Sequence, residues 1–339
     1  MTIGTNETTN ETTIAPQVLC LGEMLWDCIA DHPADAVNWV KSWTPYAGGA
    51  PANVACALLK LGTPAALVSC LGEDEPGEHL VEILERIGVD LRGIQRHATA
   101  PTRQIDVLRS ETGDRTFAGF RGADSAEFSD AYLKADLLPI GLFDQAQFLV
   151  FGTIGFAYPE SRAAFERSIS LAKERSIQCV LDVNWRPVFW TDHDAAKSII
   201  LDVVQQADLL KLSIEEAEWL FDVTDPAIVA EKFPQLKGVL ITAGEAGCEY
   251  WLSGNTGKVP AFEVEVEETT GAGDSFVAGL VHQLCVQGIE ALTHGDRAKQ
   301  IVRYASAVGS LTTIRPGAIE AQPTAKEVEA FLYLMGNAS

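Results

Sequence analysis

Short apolar segments alternate with amphipathic helical patterns along most of the chain, and this alternation limits the fold more than any other feature. "QVLCLGEML", "AALVSCLG" and "CVLDVN" have the pattern of buried strands, and helical stripes such as "PANVACALLKLG" and "DAAKSIILDVVQQA" lie between and after them. Parallel sheets covered by helices on both faces produce this order. We therefore predict an α/β fold with a doubly wound, mostly parallel sheet flanked by helices.

Extended segments outside this alternation predict a second, smaller sheet. Residues 102–121 are typical of a hairpin around a "TGD" turn. We expect a small β-sheet lid formed by segments at about 28–47 and 100–122. No repeat or low-complexity linker divides the rest of the chain, so we expect a single domain over residues 17–334. The polar, Thr-rich residues 1–16 are expected to form a disordered tail.

The charge and cysteine content exclude several classes of function. The 339 residues include 25 Lys and Arg against 47 Asp and Glu, a formal net charge of −22. Without a basic face, we expect no nucleic-acid partner and no membrane binding. The N-terminus lacks the pattern of a secretory signal. The seven cysteines are scattered without a Cys-x-x-Cys pair, which indicates reduced thiols in a cytoplasmic protein.

The stretch "ETTGAGDSF", residues 268–276, places an acid beside a Gly-rich loop. Such a loop at the start of a helix offers unpaired N–H groups and the positive end of the helix dipole, which suits a phosphate. Asp274 puts a negative charge in the same place. On these residues alone, the loop is either part of a reaction centre or a glycine turn whose aspartate stabilises the helix N-terminus.

Two stretches together resemble the signatures of the ribokinase/PfkB family of carbohydrate kinases. They are "GGAPANVA" at 48–55 and "TTGAGDSFVAGL" at 269–280. The resemblance covers about residues 17–334 and implies a ribokinase-like fold with one kinase domain. "GEMLWD", "DVNWRPVFW" and "ITAGEAGCEY" are similar to the fructokinase branch. The implied reaction is transfer of the γ-phosphoryl group of ATP to the 6-hydroxyl of D-fructose, with Mg²⁺ as cofactor and K⁺ as a further candidate.

The resemblance assigns Asp274 the role of general base. It would accept the proton of the attacking sugar hydroxyl. The amides of Ala272, Gly273 and Asp274, in the loop that begins at Gly271, would hold the charge that develops on the phosphoryl group. Arg186 in "DVNWRP" is implied as a contact of the substrate or the transferred phosphoryl, which its rigid fork suits, although an ion pair within the loop explains it as well.

The implied sugar-binding residues are glycines and polar side chains: Asp27, Gly48, Gly49, Asn53, Arg103 and Asn184. Glycines allow close approach of the backbone to a ligand, and the Asn53 amide supplies two donors and an acceptor. Asp27 is equally explained as a solvated acid. Arg103 belongs to the predicted lid hairpin, where a surface arginine is nearly as good an explanation.

The implied nucleotide-binding residues are Lys211, Thr242, Gly244, Gly247 and Ala305. Many family members have Asn-x-x-Glu where this chain has Ser213-x-x-Glu216, which also matches a helix capping box. Glu216 is the candidate for Mg²⁺, through water, because Mg²⁺ retains several waters. A potassium site made of carbonyl groups is left open at four positions: Glu268, Thr270, Thr312 and Gly317. Glu268 replaces the aspartate usual in the family.

Other functions compete with this interpretation. A family kinase acting on 2-keto-3-deoxygluconate or ribose would differ in one or two lid side chains. A non-catalytic sugar- or nucleotide-binding module is disfavoured because Asp274, Gly273 and Arg186 are all present. A dinucleotide oxidoreductase is disfavoured because "GAGDSF" lacks the third glycine of G-x-G-x-x-G and lies near the C-terminus. We also expect a homodimer through the lids, since an isolated hairpin is marginal in water.

Overall fold

The computed structural model describes residues 15–110 and 115–336. The strands are β1 (Val18–Leu21), β2 (Leu25–Ala30), β3 (Trp43–Gly48), β4 (Ala65–Gly72), β5 (Asp90–His97), β6 (Gln104–Arg109), β7 (Arg115–Phe120), β8 (Phe148–Phe151), β9 (Gln178–Asp182), β10 (Leu209–Ser213), β11 (Gly238–Thr242), β12 (Cys248–Leu252) and β13 (Asn255–Val259). The helices are α1 (Ala50–Leu61), α2 (Glu75–Ile87), α3 (Ile140–Phe143), α4 (Pro159–Glu174), α5 (His193–Val204), α6 (Ile214–Phe221), α7 (Pro226–Lys232), α8 (Ala272–Gln287), α9 (Gly295–Thr312) and α10 (Ala325–Gly336). Residues 1–14 of the tail predicted to be disordered (1–16) and the predicted "TGD" turn lie outside the described residues.

The main sheet has nine strands in the order β13-β12-β11-β10-β9-β8-β1-β4-β5. The strands from β11 to β5 pair in parallel, while β12 and β13 form an antiparallel hairpin at one edge. The strand order reverses direction beside β1, which is the topological feature of a doubly wound sheet. The predicted α/β fold with a mostly parallel sheet is therefore confirmed.

Helices cover both faces of the main sheet, and the four residues of the central strand β1 show why that strand is apolar throughout. Val18 and Cys20 belong to the core that contains α1, α8 and α9. Leu19 and Leu21 belong to the opposite core, which contains α4 and α5. Successive side chains of a strand point to opposite faces, so both faces of a strand covered on both sides are buried.

Local backbone signals place the two helices that border the later site. Helix α1 begins after Gly49, whose φ is +103°, has Pro51 in its first turn and ends at the left-handed Gly62. Helix α8 begins after Gly271, whose φ is +77°. A Cβ at Gly271 would also lie 3.0 Å from the Cβ of Ala318, so glycine is required for both conformation and space.

A four-stranded sheet with the order β3-β2-β6-β7 lies apart from the main sheet. Strands β2 and β6 are parallel, and the two outer pairs are antiparallel. We call this small sheet the lid. That residues 17–334 form a single domain stays a prediction. Among the described residues, no helix is both long enough and apolar enough to cross a membrane.

Candidate active site

A polar cleft of about 580 Å³ lies at the carboxyl ends of the central strands, where ligands bind in open α/β sheets. The lid contributes Ile105, Val107, Arg115 and Phe117 to its wall. Most residues predicted for the sugar and the reaction line it together: Asp27, Gly49, Asn53, Asn184, Arg186, Gly271, Gly273 and Asp274. Lys211, Glu216 and Thr270, predicted for the nucleotide, Mg²⁺ and K⁺, line the same cleft. These side chains are far apart in sequence, and strand ends bring them to one edge of the sheet.

A second, more apolar cleft of about 790 Å³ adjoins the first. Thr242, Gly244 and Gly247, predicted for the nucleotide, line it. Gly273 and Thr269 border both clefts, so the Gly-rich loop is their common wall. Two ligands, one bound in each cleft, would therefore meet at this loop.

Ala305, also predicted for the nucleotide, does not line the second cleft. It is fully buried, and its Cα lies 2.9 Å from the position a Cβ would take at Gly279, so it packs α9 against α8. The cleft is lined instead by Ser306 and Gly309 from the same helix. The sequence predicted the correct helix but named the neighbouring residue. Packing decides which side of α9 faces the cleft, and Ser306 rather than Ala305 lies on that side.

Asp274 lies in the first turn of α8 and borders the polar cleft. The Asn53 Nδ2 donates a hydrogen bond of 2.8 Å to its Oδ2. Burial raises the pKa of Asp274, and the Asn53 hydrogen bond, Lys211 and Arg186 partly offset this rise. A hydrogen bond to one oxygen fixes the orientation of the carboxylate. Because the carboxylate borders an open cleft, it can accept a proton from a hydroxyl group there.

Asp27 and Glu23 also border the cleft, and Glu23 was not predicted. Burial raises the pKa of Asp27 to about 6, against the opposing effect of Arg115 and Arg186. Glu23 is only 5% exposed, and its Oε1 accepts the Ala50 N–H at 3.1 Å. Burial raises the pKa of Glu23 to about 7. Its position directly after β1 was the available signal, because polar residues after strands point to the ligand crevice.

Lys211 lies below the Gly-rich loop rather than among the residues of the second cleft. Its Nζ is 3.3 Å from the position a Cβ would take at Gly273 and 3.0 Å from Asp182 Oδ1. Burial alone would lower the pKa of Lys211, but Asp182 and Glu216 raise it above its usual value. The ammonium group is therefore a cation held between the two clefts.

Glu216 forms the capping box that the sequence predicted, and its oxygens leave room for the metal role that the sequence also suggested. Its Oε2 accepts the Ser213 N–H at 2.7 Å and the Ser213 Oγ accepts the Glu216 N–H at 3.2 Å, which is a capping box. Its Oε1 accepts the Trp185 N–H at 2.6 Å. Each oxygen keeps a further acceptor site, so the carboxylate fits contact with a hydrated Mg²⁺ through water. In the described part of the chain, no group of three or more His, Cys, Asp or Glu could enclose a metal ion.

Arg103 was predicted to reach the substrate, and its position corrects that prediction. It is 1% exposed and does not line the cleft. Its Nε and Nη2 donate to the two carboxylate oxygens of Asp130 at 2.8 and 2.7 Å. The guanidinium also lies against four rings: Phe120, Phe128, Tyr158 and Phe189. The guanidinium charge is therefore paired within the protein interior and does not reach the cleft.

Gly48 lies behind Asp27 rather than on the cleft surface. A Cβ at Gly48 would lie 2.6 Å from Asp27 Oδ2, so a side chain there would displace the carboxylate. The glycine therefore serves the predicted site by leaving room for Asp27.

The polar side chains of the residues predicted for a potassium site form hydrogen bonds within the protein. The Glu268 carboxylate accepts the Gly317 N–H at 3.1 Å, and Thr270 Oγ1 accepts from Arg115 Nη1 at 3.2 Å. Thr312 Oγ1 donates to the Val308 carbonyl within α9. A carbonyl site for potassium stays a prediction.

A polar cleft and a nucleotide-sized cleft that share a Gly-rich helix start define the class of small-molecule phosphotransferases. The family model for pfkB family carbohydrate kinases matches residues 15–325. The chain belongs to this family.

Curated relatives and solved structures point to one branch of the family. The chain is 34% identical over 320 residues to "Probable fructokinase-2" of Arabidopsis thaliana, covering 94% of this chain and 96% of the relative. It is 34% identical over 314 residues to "Fructokinase-1" of Zea mays, covering 92% and 96%. The structure of a fructokinase with bound ATP from Xylella fastidiosa superposes with a TM-score of 0.86 at 27% identity, covering 94% of this chain and 98% of that one.

Proposed function

We propose that this protein is an ATP-dependent fructokinase, which transfers the γ-phosphoryl group of ATP to the 6-hydroxyl of D-fructose. The observation that carries the proposal is the position of Asp274, in the first turn of α8 beside the loop that the two clefts share. The choice of fructose is supported by the relatives named fructokinases, which match nearly the whole chain.

The reaction follows from the arrangement of the two clefts. The sugar would bind in the polar cleft beside Asp27, and ATP in the second cleft with its γ-phosphoryl group toward the shared loop. Asp274 accepts the proton of the hydroxyl as that oxygen bonds to the γ-phosphorus, and the bond to the β–γ bridging oxygen breaks to release ADP. The amides of Gly273 and Asp274, at the positive end of α8, stabilise the charge on the phosphoryl oxygens, whereas the Ala272 N–H, predicted to join them, donates to the Thr269 carbonyl instead.

Charged side chains around the shared loop support phosphate binding. Arg186 and Lys211 both line the polar cleft and lower the pKa of Asp274, so their charges act on the place where the phosphoryl group would lie. Glu216 would hold Mg²⁺ through water, and the bound ion would neutralise phosphate charge.

The assembly and location of the protein are further parts of the proposal. A homodimer through the lids is supported by the exposed apolar side chains of Val37 and Trp39 in the lid region. A cytoplasmic location is supported by the seven cysteines, all of which have free thiols. Activation by potassium remains an open part of the proposal.

A coupled ADP-release assay across fructose, ribose, glucose, 2-keto-3-deoxygluconate and adenosine tests this function. We expect the highest kcat/KM with fructose, and loss of ADP release in Asp274→Asn. Phosphorylation of another sugar but not fructose would retain the kinase class and reject the fructokinase assignment. Sugar binding without ADP release in the wild type would indicate a non-catalytic module.

A further inference from the structure

Arg115 connects three segments that are distant in sequence. It begins β7 in the lid and lines the polar cleft. Its guanidinium forms an ion pair with Glu268 and donates to Thr270 Oγ1 at 3.2 Å, across 155 residues of sequence. The other Glu268 oxygen accepts the Gly317 N–H at 3.1 Å. One lid side chain thus reaches the segment that precedes α8 and, through Glu268, the loop that follows α9.

The Arg115–Glu268 pair is largely withdrawn from water. The two side chains are 27% and 9% exposed, whereas those of the surface pair Arg167–Glu174 are 46% and 54% exposed. Exposed pairs contribute little, but removing one partner of a shielded pair leaves a charge without compensation. Loss of Arg115 would therefore leave the Glu268 carboxylate largely buried without a compensating charge.

The segment held by this pair leads directly into the Gly-rich loop. The Glu268 N–H donates to the Thr313 carbonyl at 3.1 Å, which fixes its backbone to the end of α9. The Ala272 N–H donates to the Thr269 carbonyl at 3.2 Å, which ties this segment to the start of α8, directly before the proposed phosphoryl-binding amides of Gly273 and Asp274. A shift of residues 268–270 would thus be transmitted to these amides and to Asp274.

We propose that Arg115 is a positioning residue, which fixes the segment 268–270 from the lid and thereby orients the phosphoryl-binding amides and Asp274. The proposal rests on the proposed function for its kinetic consequences. It gives the lid a part in the chemical step as well as in covering the sugar. It also accounts for the glutamate at position 268, whose longer side chain reaches both the lid arginine and the Gly317 N–H.

The test compares Arg115→Met, Glu268→Gln and the double variant by steady-state kinetics with fructose and ATP. We expect each single variant to lower kcat by about 10-fold or more, since small displacements in an active site are costly. The double variant should be no slower than the slower single variant, because the two residues act as a unit. Arg115→Lys should retain part of the rate, because its charge is kept while the rigid guanidinium, whose Nη1 contacts both Glu268 and Thr270, is lost.

Arg109→Met is the matched control. Arg109 pairs with Arg115 across the β6–β7 ladder and is exposed at the end of its strand. Removing its charge should leave kcat near the wild-type value, so a general effect of lid charge is separated from the specific contact.

Hydrogen exchange of the segment 268–276 in the unliganded protein supplies a readout independent of activity. We expect faster exchange there in Arg115→Met and Glu268→Gln, and no change in Arg109→Met. Unchanged exchange, multiplicative losses of kcat in the double variant, or an effect confined to the KM for fructose would overturn the proposal. If the wild type phosphorylates no sugar, the proposed function fails, while the exchange data still decide the positioning role. If Arg115→Met does not fold, Arg115→Lys and Glu268→Gln carry the same comparison.

Discussion

At the scale of single residues, Asp274 shows how burial and charge set the reactivity of one carboxylate. Burial raises its pKa, while Asn53, Lys211 and Arg186 lower it again. The basic form is required to accept a proton. We therefore infer that the acid limit of kcat/KM lies at a higher pH than the pKa of an ordinary aspartate, and that the rate is retained as the pH rises above it.

The substitution Asp274→Asn tests the general base. The asparagine side chain is nearly isosteric with aspartate but cannot accept the proton, so kcat should fall by about 10²–10⁴-fold, the usual range for loss of a general base. ATP binding, measured by calorimetry without sugar, should change little. Turnover close to that of the wild type would contradict the assignment of Asp274.

Glu23 provides a prediction about stability and pH. Its pKa rises from the ordinary 4.5 to about 7 in the folded protein, so the folded state binds its proton more tightly than the unfolded state. The resulting stabilisation is complete below the unfolded pKa and is lost as the pH rises through about 7.

Glu23→Gln keeps an oxygen for the Ala50 N–H but removes the titration. Relative to wild type, the variant should gain about 2–3 kcal/mol of unfolding free energy between about pH 5 and about pH 8. Urea unfolding at the two pH values measures this difference. An equal effect of the substitution at both pH values would show that burial does not perturb Glu23.

At the scale of elements, the Arg103–Asp130 pair anchors the lid to the main sheet. Arg103 directly precedes β6, and its carbonyl accepts the Trp26 N–H of β2 at 3.0 Å. The pair therefore lies where two lid strands leave the body of the protein. Its four aromatic neighbours add cation–π contacts at 4.6 to 5.5 Å from the rings.

Arg103→Met should destabilise the protein by about 3–5 kcal/mol, because Asp130 remains as a buried charge without its partner. The double variant Arg103→Met/Asp130→Leu should recover part of this loss, since no uncompensated charge remains. Denaturant unfolding measures both effects. A loss below about 1 kcal/mol in Arg103→Met would place this pair among ordinary surface pairs.

At the scale of the whole molecule, the lid region leaves apolar side chains open to solvent. Val37, Trp39 and Phe117 are 40%, 65% and 37% exposed. Phe117 lines the polar cleft, whereas Val37 and Trp39 lie in one short helical turn outside it, and exposed apolar side chains of this kind are typical of interaction surfaces. A second copy of the chain is the partner we proposed for this face.

Light scattering of the wild type at micromolar concentration should give about twice the mass of one chain. Trp39→Glu should shift the protein toward the monomer, because it places a charge in the interface. Tyr333→Glu, at an exposed aromatic residue of the C-terminal helix α10, is the control and should leave the mass unchanged. A monomeric mass for the wild type would reject the dimer without affecting the fold.

The sequence by itself determined the order of strands and helices and the loop that joins the two clefts. Both depend on signals between neighbouring residues: apolar periodicity, the glycines before α1 and α8, and the acid within "GAGD". The carboxyl-end rule then brought Asp27, Asn184 and Asp274 to one cleft. Such local signals can be recognised in the sequence without knowledge of the folded structure.

Only the tertiary structure decided which side chains lie beneath the cleft and which lie within it. Arg103 was expected on the sugar but is committed to Asp130, and Ser306 rather than Ala305 faces the second cleft. Arg115 and Glu268 form their pair only because the lid folds over a segment more than a hundred residues away along the chain. The physical reason is that burial and charge pairing depend on distances in space, and these arise only when remote segments pack together.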